Sequence, residues 1–215
     1  MKKLNLQLFA MILFGLLSSG LFAQISETSR NKELALNGNL LTFNNFGLQY
    51  KSELKSGNYF RLGITDIVYD ITKQDYGTPM PTLPSTNTVI AGTFEIGLEK
   101  RTQITNKLTA FYGVNFTFTS SFHRNKRPDP SLPLDSRHLD NLTVNPGFGF
   151  NSGFIYKISD EFSVSTEIVP RLLYTYSTSQ RVSGLNKVND TTQGASFNLD
   201  NQSVRVSLIY SWTKD

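Results

Sequence analysis

Three features of the sequence predict an all-β fold, an eight-stranded antiparallel up-and-down β-barrel. Apolar side chains recur at every second position in runs longer than an ordinary strand, tight polar turns alternate with long loops, and charged residues within the runs keep to one parity. The composition agrees, since of 215 residues 12% are aromatic, only 18% are charged and none is cysteine. Collagen-like, coiled-coil and highly charged disordered chains are excluded, as are a disulfide framework, a zinc-thiolate site, a cysteine nucleophile and a lipid-modified cysteine. Lys and Arg exceed Asp and Glu by only 21 to 17, so nucleic acid is not an expected partner.

The first 23 residues read as an address rather than as structure. Lys2 and Lys3 precede an apolar run from Leu8 to Ala23 broken by small residues, and a cut is expected at its end, between Ala23 and Gln24. The expected organisation is a signal peptide at 1–23, a short periplasmic segment at 24–32 and a barrel domain at 33–215. No later stretch holds the 18 or so consecutive apolar residues that a membrane helix needs.

The first strand is expected near Glu33 to Leu41 and the last near Val204 to Trp212. Tight turns at Lys55-Ser56-Gly57-Asn58, Thr105-Asn106 and Ser159-Asp160-Glu161 join strands two to three, four to five and six to seven. The fifth strand alternates Leu108, Ala110, Tyr112, Val114, Phe116 and Phe118 with more polar residues. The sixth does so with Phe148, Phe150, Phe154 and Tyr156, and the seventh with Val164, Ile168, Leu172, Tyr174 and Tyr176. Long loops are expected at about 73–88, 121–141 and 178–196. Pro79, Pro81, Pro84, Pro128, Pro130 and Pro133 fall in two of them, where no ladder needs a proline N–H. Two positions break the pattern. The apolar parity flips between Ile64 and Ile67, which calls for a bulge at Thr65-Asp66, and Pro170 calls for a break in the seventh strand.

Magnitude decides which face meets lipid. Lys51, Arg61, Arg171 and Arg205 share a face with Glu53, Glu95, Glu99 and Glu167. A lipid-facing Lys or Arg at the midplane costs about 2–4 kcal/mol. Four would cost on the order of 8–16 kcal/mol, comparable to a whole folding free energy of about 5–15 kcal/mol. The charged face therefore points inward, where acids neutralise bases, and glycines of the same parity such as Gly97, Gly113 and Gly153 leave room for the long side chains. An eight-stranded barrel is only wide enough to be filled by its own side chains, so an open pore is not expected. Aromatic belts are expected at Phe60, Tyr156, Phe162, Tyr210 and Trp212 on the turn side, and at Phe118, Phe122, Tyr174 and Tyr176 on the loop side.

Little in the chain points to catalysis. His123 and His138 share a loop with Ser121, Ser131, Ser136, Asp129, Asp135 and Asp140, a set from which a rim hydrolase acting on lipid A or peptides could be drawn, but without diagnostic spacing. No phosphate loop, dinucleotide fingerprint or metal motif is present, so neither cofactor nor metal is expected. Arg124, Lys126 and Arg127 are candidate contacts for lipopolysaccharide phosphates. A soluble lipid-carrier-like barrel is the remaining alternative, and it requires apolar residues inside and charges outside.

The segment ending in Phe22-Ala23-Gln24, the pair FGLQYKSELKSGNYFRLGI from Phe46 to Ile64, and the hairpins FEIGLEKRTQITNKLTAFYGVNFTF and GFGFNSGFIYKISDEFSVSTEIVPRLLY resemble the small outer-membrane β-barrel domain family common in the Bacteroidota, PorT-like proteins among them. That resemblance implies an outer-membrane location, lipid and lipopolysaccharide as surroundings, and an accessory place beside other envelope or secretion proteins. It carries no catalytic residue.

Overall fold

The computed structural model describes residues 30–39, 46–74, 85–126, 138–183, 186–199 and 204–214. These hold ten strands: β1 (Arg30–Asn39), β2 (Phe46–Glu53), β3 (Tyr59–Gln74), β4 (Ser85–Gln103), β5 (Leu108–Lys126), β6 (His138–Lys157), β7 (Phe162–Ile168), β8 (Arg171–Ser183), β9 (Asn186–Asn198) and β10 (Val204–Lys214). Every pairing is antiparallel, and β1 to β7 with β10 form a closed ring of eight through the β5–β6 and β1–β10 ladders. The ring is the predicted barrel. The count of ten arises because its last two staves are each cut in two.

The seventh stave is cut at Val169-Pro170, between β7 and β8. Proline has no N–H to give the ladder, yet its carbonyl still accepts from the Phe150 N–H at 3.0 Å. Below the cut, β6 pairs with β7 as far as Ser152↔Ile168, and above it the ladder resumes with β8 at Gly149↔Arg171. The eighth stave is β9 followed by β10. Here the sequence reading is corrected, because a loop was expected at 178–196 and an ordered β8–β9 hairpin stands there instead, paired from Ser183↔Asn186 down to Arg171↔Asn198. Its residues lack apolar alternation because both faces of β9 from Asn189 to Ala195 are exposed, while ladder bonds to β8 satisfy one side of its backbone. At the other two expected loops, strands continue to Gln74 and Lys126 and restart at Ser85 and His138. The six loop prolines lie outside the described residues, and the first strand starts at Arg30, three residues before the expected Glu33.

The tight turns stand where the polar clusters put them. Gly57 takes φ 78°, a left-handed conformation that glycine adopts without strain, and its N–H donates to the Leu54 carbonyl at 2.9 Å. The third turn closes with the Phe162 N–H donating to the Ser159 hydroxyl at 3.0 Å. A bulge occupies the position where the parity flips: the β3–β4 register slips between Thr65 and Val68, and Asp66 sits at φ 54°. Aspartate tolerates that region better than a branched residue. Beyond it, Ile67, Tyr69 and Ile71 face outward.

The distribution of side chains inverts that of a water-soluble protein. Arg61 and Glu95 are each 1% exposed, whereas Leu208 is 49% and Phe148 60% exposed. The lipid-carrier alternative needs the opposite arrangement and is overturned. Strands β4, β5 and β6 run 19, 19 and 20 residues, although crossing a bilayer takes only about 9–11, so roughly half of each stands clear of an apolar band.

Close approach of neighbouring staves explains several inward glycines. A Cβ on Gly113 would meet the Leu98 carbonyl and lie 2.9 Å from Asn151 Oδ1, and one on Gly153 would meet the Thr166 carbonyl and lie 2.9 Å from the Phe111 ring. Gly153→Ala should therefore cost about 1–3 kcal/mol, read as a lower midpoint for heat-induced loss of the fast-migrating folded form on a gel.

A charge-filled lumen as the candidate functional site

Period-two alternation sends odd-numbered residues of the ring into the lumen, and this places the site. On β1, β2 and β4 it brings in Glu33, Lys51, Glu95, Glu99 and Arg101; on β3, Arg61; on β7, β8 and β10, Glu167, Arg171 and Arg205. Asp66, at an even position, joins them only because the bulge turns it inward. Strands β5 and β6 bring no charge to this network. They contribute Phe111, Asn115, Asn151 and the glycines, making one wall thin enough for the long side chains of the opposite wall to fill the interior.

The ten groups, five acids and five bases, form one connected chain of ion pairs among the described residues. At the turn side, the Arg101 guanidinium donates to both Glu33 oxygens at 2.6 and 2.7 Å and to Glu99 Oε1 at 2.6 Å, and it stacks 3.6 Å from the Tyr59 ring centre. Glu99 also takes Lys51 at 3.0 Å and Arg61 at 3.1 Å, while the Lys51 ammonium lies 5.2 Å from the Phe111 ring centre. Arg61 spans to Glu167 at 2.8 Å and also donates to Gln49 Oε1. At the loop side, Glu95 holds Arg205 at 2.8 Å and Arg171 at 3.1 Å, and Asp66 accepts from Arg171 at 3.0 Å and Arg205 at 3.5 Å. Arg205 lies 3.6 Å from Glu167, which links the two halves. Bidentate and shared contacts of this kind are what make burial of ten charges affordable.

Of the residues that the sequence assigns to the lumen, Lys51, Arg61, Glu95, Glu99, Glu167, Arg171 and Arg205 are in this chain, and Glu53 is not. It has the inward parity but lies one residue from the turn, so its carboxylate emerges at the rim, 3.4 Å from the Asn31 backbone N–H. Glu33, Arg101 and Asp66 are members that the sequence reading left out, the first two although they share the inward parity.

Aromatic rings gather on the outer skin. Phe162 lies 5.4 Å from Tyr210, Tyr210 stacks on Trp212 at 5.8 Å, and Trp212 lies 6.5 Å from Tyr50, which makes a turn-side arc of rings carried by β7, β10 and β2. Phe60 and Tyr156 are on the same side, paired across the ladders with Leu98 and Val164. Opposite, Tyr174 and Tyr176 are exposed on β8, and the Tyr174 hydroxyl donates to Gln193 Oε1 at 2.9 Å. Phe118, opposite Phe94 and Pro146, sits lower than Phe122, opposite Ile90 and Leu142, because the strands continue beyond the expected loop start. Trp212→Ala should remove two ring contacts and the largest interfacial anchor, costing about 1–3 kcal/mol in lipid vesicles by chemical denaturation.

Among the described residues, the loop candidates form no hydrolytic set. His123 Nε2 is bonded to Asn87 Oδ1, and Asp140 is held by Arg124 at 2.9 and 3.1 Å. Ser131, Ser136, Asp129 and Asp135 lie outside the described residues, as does Arg127, and of His138 only the backbone is described. No cluster of three His, Asp or Glu able to hold a metal occurs among the described residues. Arg124 faces outward with its guanidinium 5.1 Å from the Phe122 ring centre, and Lys126 is exposed at the end of β5.

No protein-family model and no curated protein matches this sequence. Among solved structures, the chain is similar to a major outer membrane protein from Thermus thermophilus, with 13% identity and a TM-score of 0.51 over 86% of this chain and 100% of that one. It is also matched to Neisserial surface protein A, with 10% identity and a TM-score of 0.34 over 85% of this chain and 91% of that one. The first likeness is one of fold, that of an outer-membrane β-barrel.

Proposed function

We propose that the protein is an integral barrel of the outer membrane, reached through cleavage of residues 1–23, with a sealed lumen and a non-enzymatic accessory role in an envelope complex. The ion-pair chain from Glu33 to Asp66 carries this reading, because it fills the ring from one end to the other with side chains that neutralise one another. A transport pore would need that space. The working surface is then the part of the sheet standing above the apolar band. Arg124, set outward above Phe122 beside Lys126, suits the phosphates of lipopolysaccharide at that height, and the PorT-like resemblance favours a secretion-linked partner.

Fractionation with a heat-modifiability gel tests the location: the unboiled protein should run fast and remain with outer-membrane material, and a soluble or inner-membrane protein would defeat the reading. In planar bilayers the purified chain should carry no steady current, and stepwise conductance would overturn the sealed lumen.

A further inference from the structure

Above the ring, the wall built by the described residues has a gap in one place. The β1–β10 ladder ends at Asn39↔Arg205 and the β2–β3 ladder at Phe46↔Ile67. Beyond these points β9 pairs only with β8, and β3 from Val68 to Gln74 pairs only with β4, among the described residues. The strands that would continue the ring between those edges are β1 and β2, which among the described residues reach Asn39 and begin at Phe46. The result is a notch two strands wide, roughly 14 Å at about 4.8 Å per strand spacing. On each flank, alternate residues turn into it N–H and C=O groups that have no ladder partner among the described residues.

Edges of this length are normally blunted by proline, bulges or clustered lysine. Residues 188–198 of β9, VNDTTQGASFN, contain no proline, bulge or lysine; their one charge, Asp190, is paired with Arg181 of β8 at 3.3 Å, and both faces are exposed from Asn189 to Ala195. On the opposite flank, the Asp70 carboxylate accepts only from the Thr72 hydroxyl, at 3.1 and 3.2 Å, and no cation reaches it among the described residues.

We propose that this notch receives a β-hairpin of another polypeptide, entering turn first toward the membrane, with a basic residue on the strand that lies beside β3. Strand direction selects this occupant. Because β3 runs away from the membrane and β9 runs toward it, a hairpin that descends beside β3 and returns beside β9 is antiparallel to both and completes the alternation of the ring. A second copy in the same membrane is disfavoured, since a two-fold axis along the membrane normal would set two β9 edges running in the same direction. The basic residue answers Asp70. This inference goes beyond the outer-membrane reading and is tested without reference to location.

Amide hydrogen exchange on the purified full chain in detergent, with and without a cyclised Thr-rich hairpin peptide bearing lysines on one strand, reads both edges directly. Amides of Asn189 to Ala195 and of Val68 to Lys73 should exchange roughly tenfold more slowly with the peptide. Thr192→Lys, which charges the β9 edge while keeping the heat-modifiable migration, should abolish the slowing, and Asp70→Asn should weaken it. Absence of slowing overturns the proposal. So does slow exchange of the edges without peptide, whether it disappears on dilution, which marks a second copy, or persists, which marks cover by the chain itself.

Discussion

Glu99→Ala is expected to be the most damaging single change in the barrel. Its carboxylate is shared by Lys51, Arg61 and Arg101, all within 3.1 Å, and its side chain has no exposed surface. Removing one member of a buried pair costs about 3–5 kcal/mol, because the partner is left charged and dry. Here three cations lose one acid, so the loss should reach at least that range, a large part of a folding free energy of about 5–15 kcal/mol. Urea titration of the folded band in lipid vesicles measures it. Glu99→Gln keeps the shape and an acceptor oxygen but not the charge, and should fall between wild type and Glu99→Ala. A double-mutant cycle with Lys51→Met should show coupling between the two sites, whereas independent effects would mean that the pairing contributes nothing.

Leu208→Arg is expected to cost about 2–4 kcal/mol in lipid. Leu208 lies on β10, four residues from the Trp212 ring arc, with Leu36 and Val164 opposite it on the flanking strands. On a water-facing sheet, a half-exposed leucine replaced by arginine would change stability by no more than about 0.5 kcal/mol. The sign and size of the effect therefore distinguish lipid from water at that surface. Leu208→Met keeps the outer skin apolar at nearly the same volume and serves as the control, with a change below about 1.5 kcal/mol.

The parity of the charges was enough to assign seven of the network residues, because a period of two leaves only two faces and one of them cannot be lipid. Parity says nothing about height, however, and Glu53 shows the consequence: correct face, but too near the turn to reach the interior. Arg101 escaped for the opposite reason. It stands close to the Thr105-Asn106 turn, yet its long side chain reaches back to Glu33 across the mouth of the ring. Asp66 was legible as an irregularity, and its role was not, since the partners Arg171 and Arg205 are over 100 residues away in sequence. The β9 strand was not legible at all, because a strand wetted on both faces has no apolar rhythm and is held by its backbone.

The register of the charges also bears on how the ring is put together. Lys51 faces Arg61 directly across the β2–β3 ladder, so that hairpin repels itself until β4 delivers Glu99. Strands β1 to β4 together carry four network acids (Glu33, Asp66, Glu95, Glu99) against three bases (Lys51, Arg61, Arg101). Strands β7, β8 and β10 carry one acid, Glu167, against two bases, Arg171 and Arg205. The early and late segments are thus one charge short of neutrality in opposite senses, and the surplus of each is cancelled only when the last strand zips onto the first, which gives the seam an attraction that an incomplete sheet lacks.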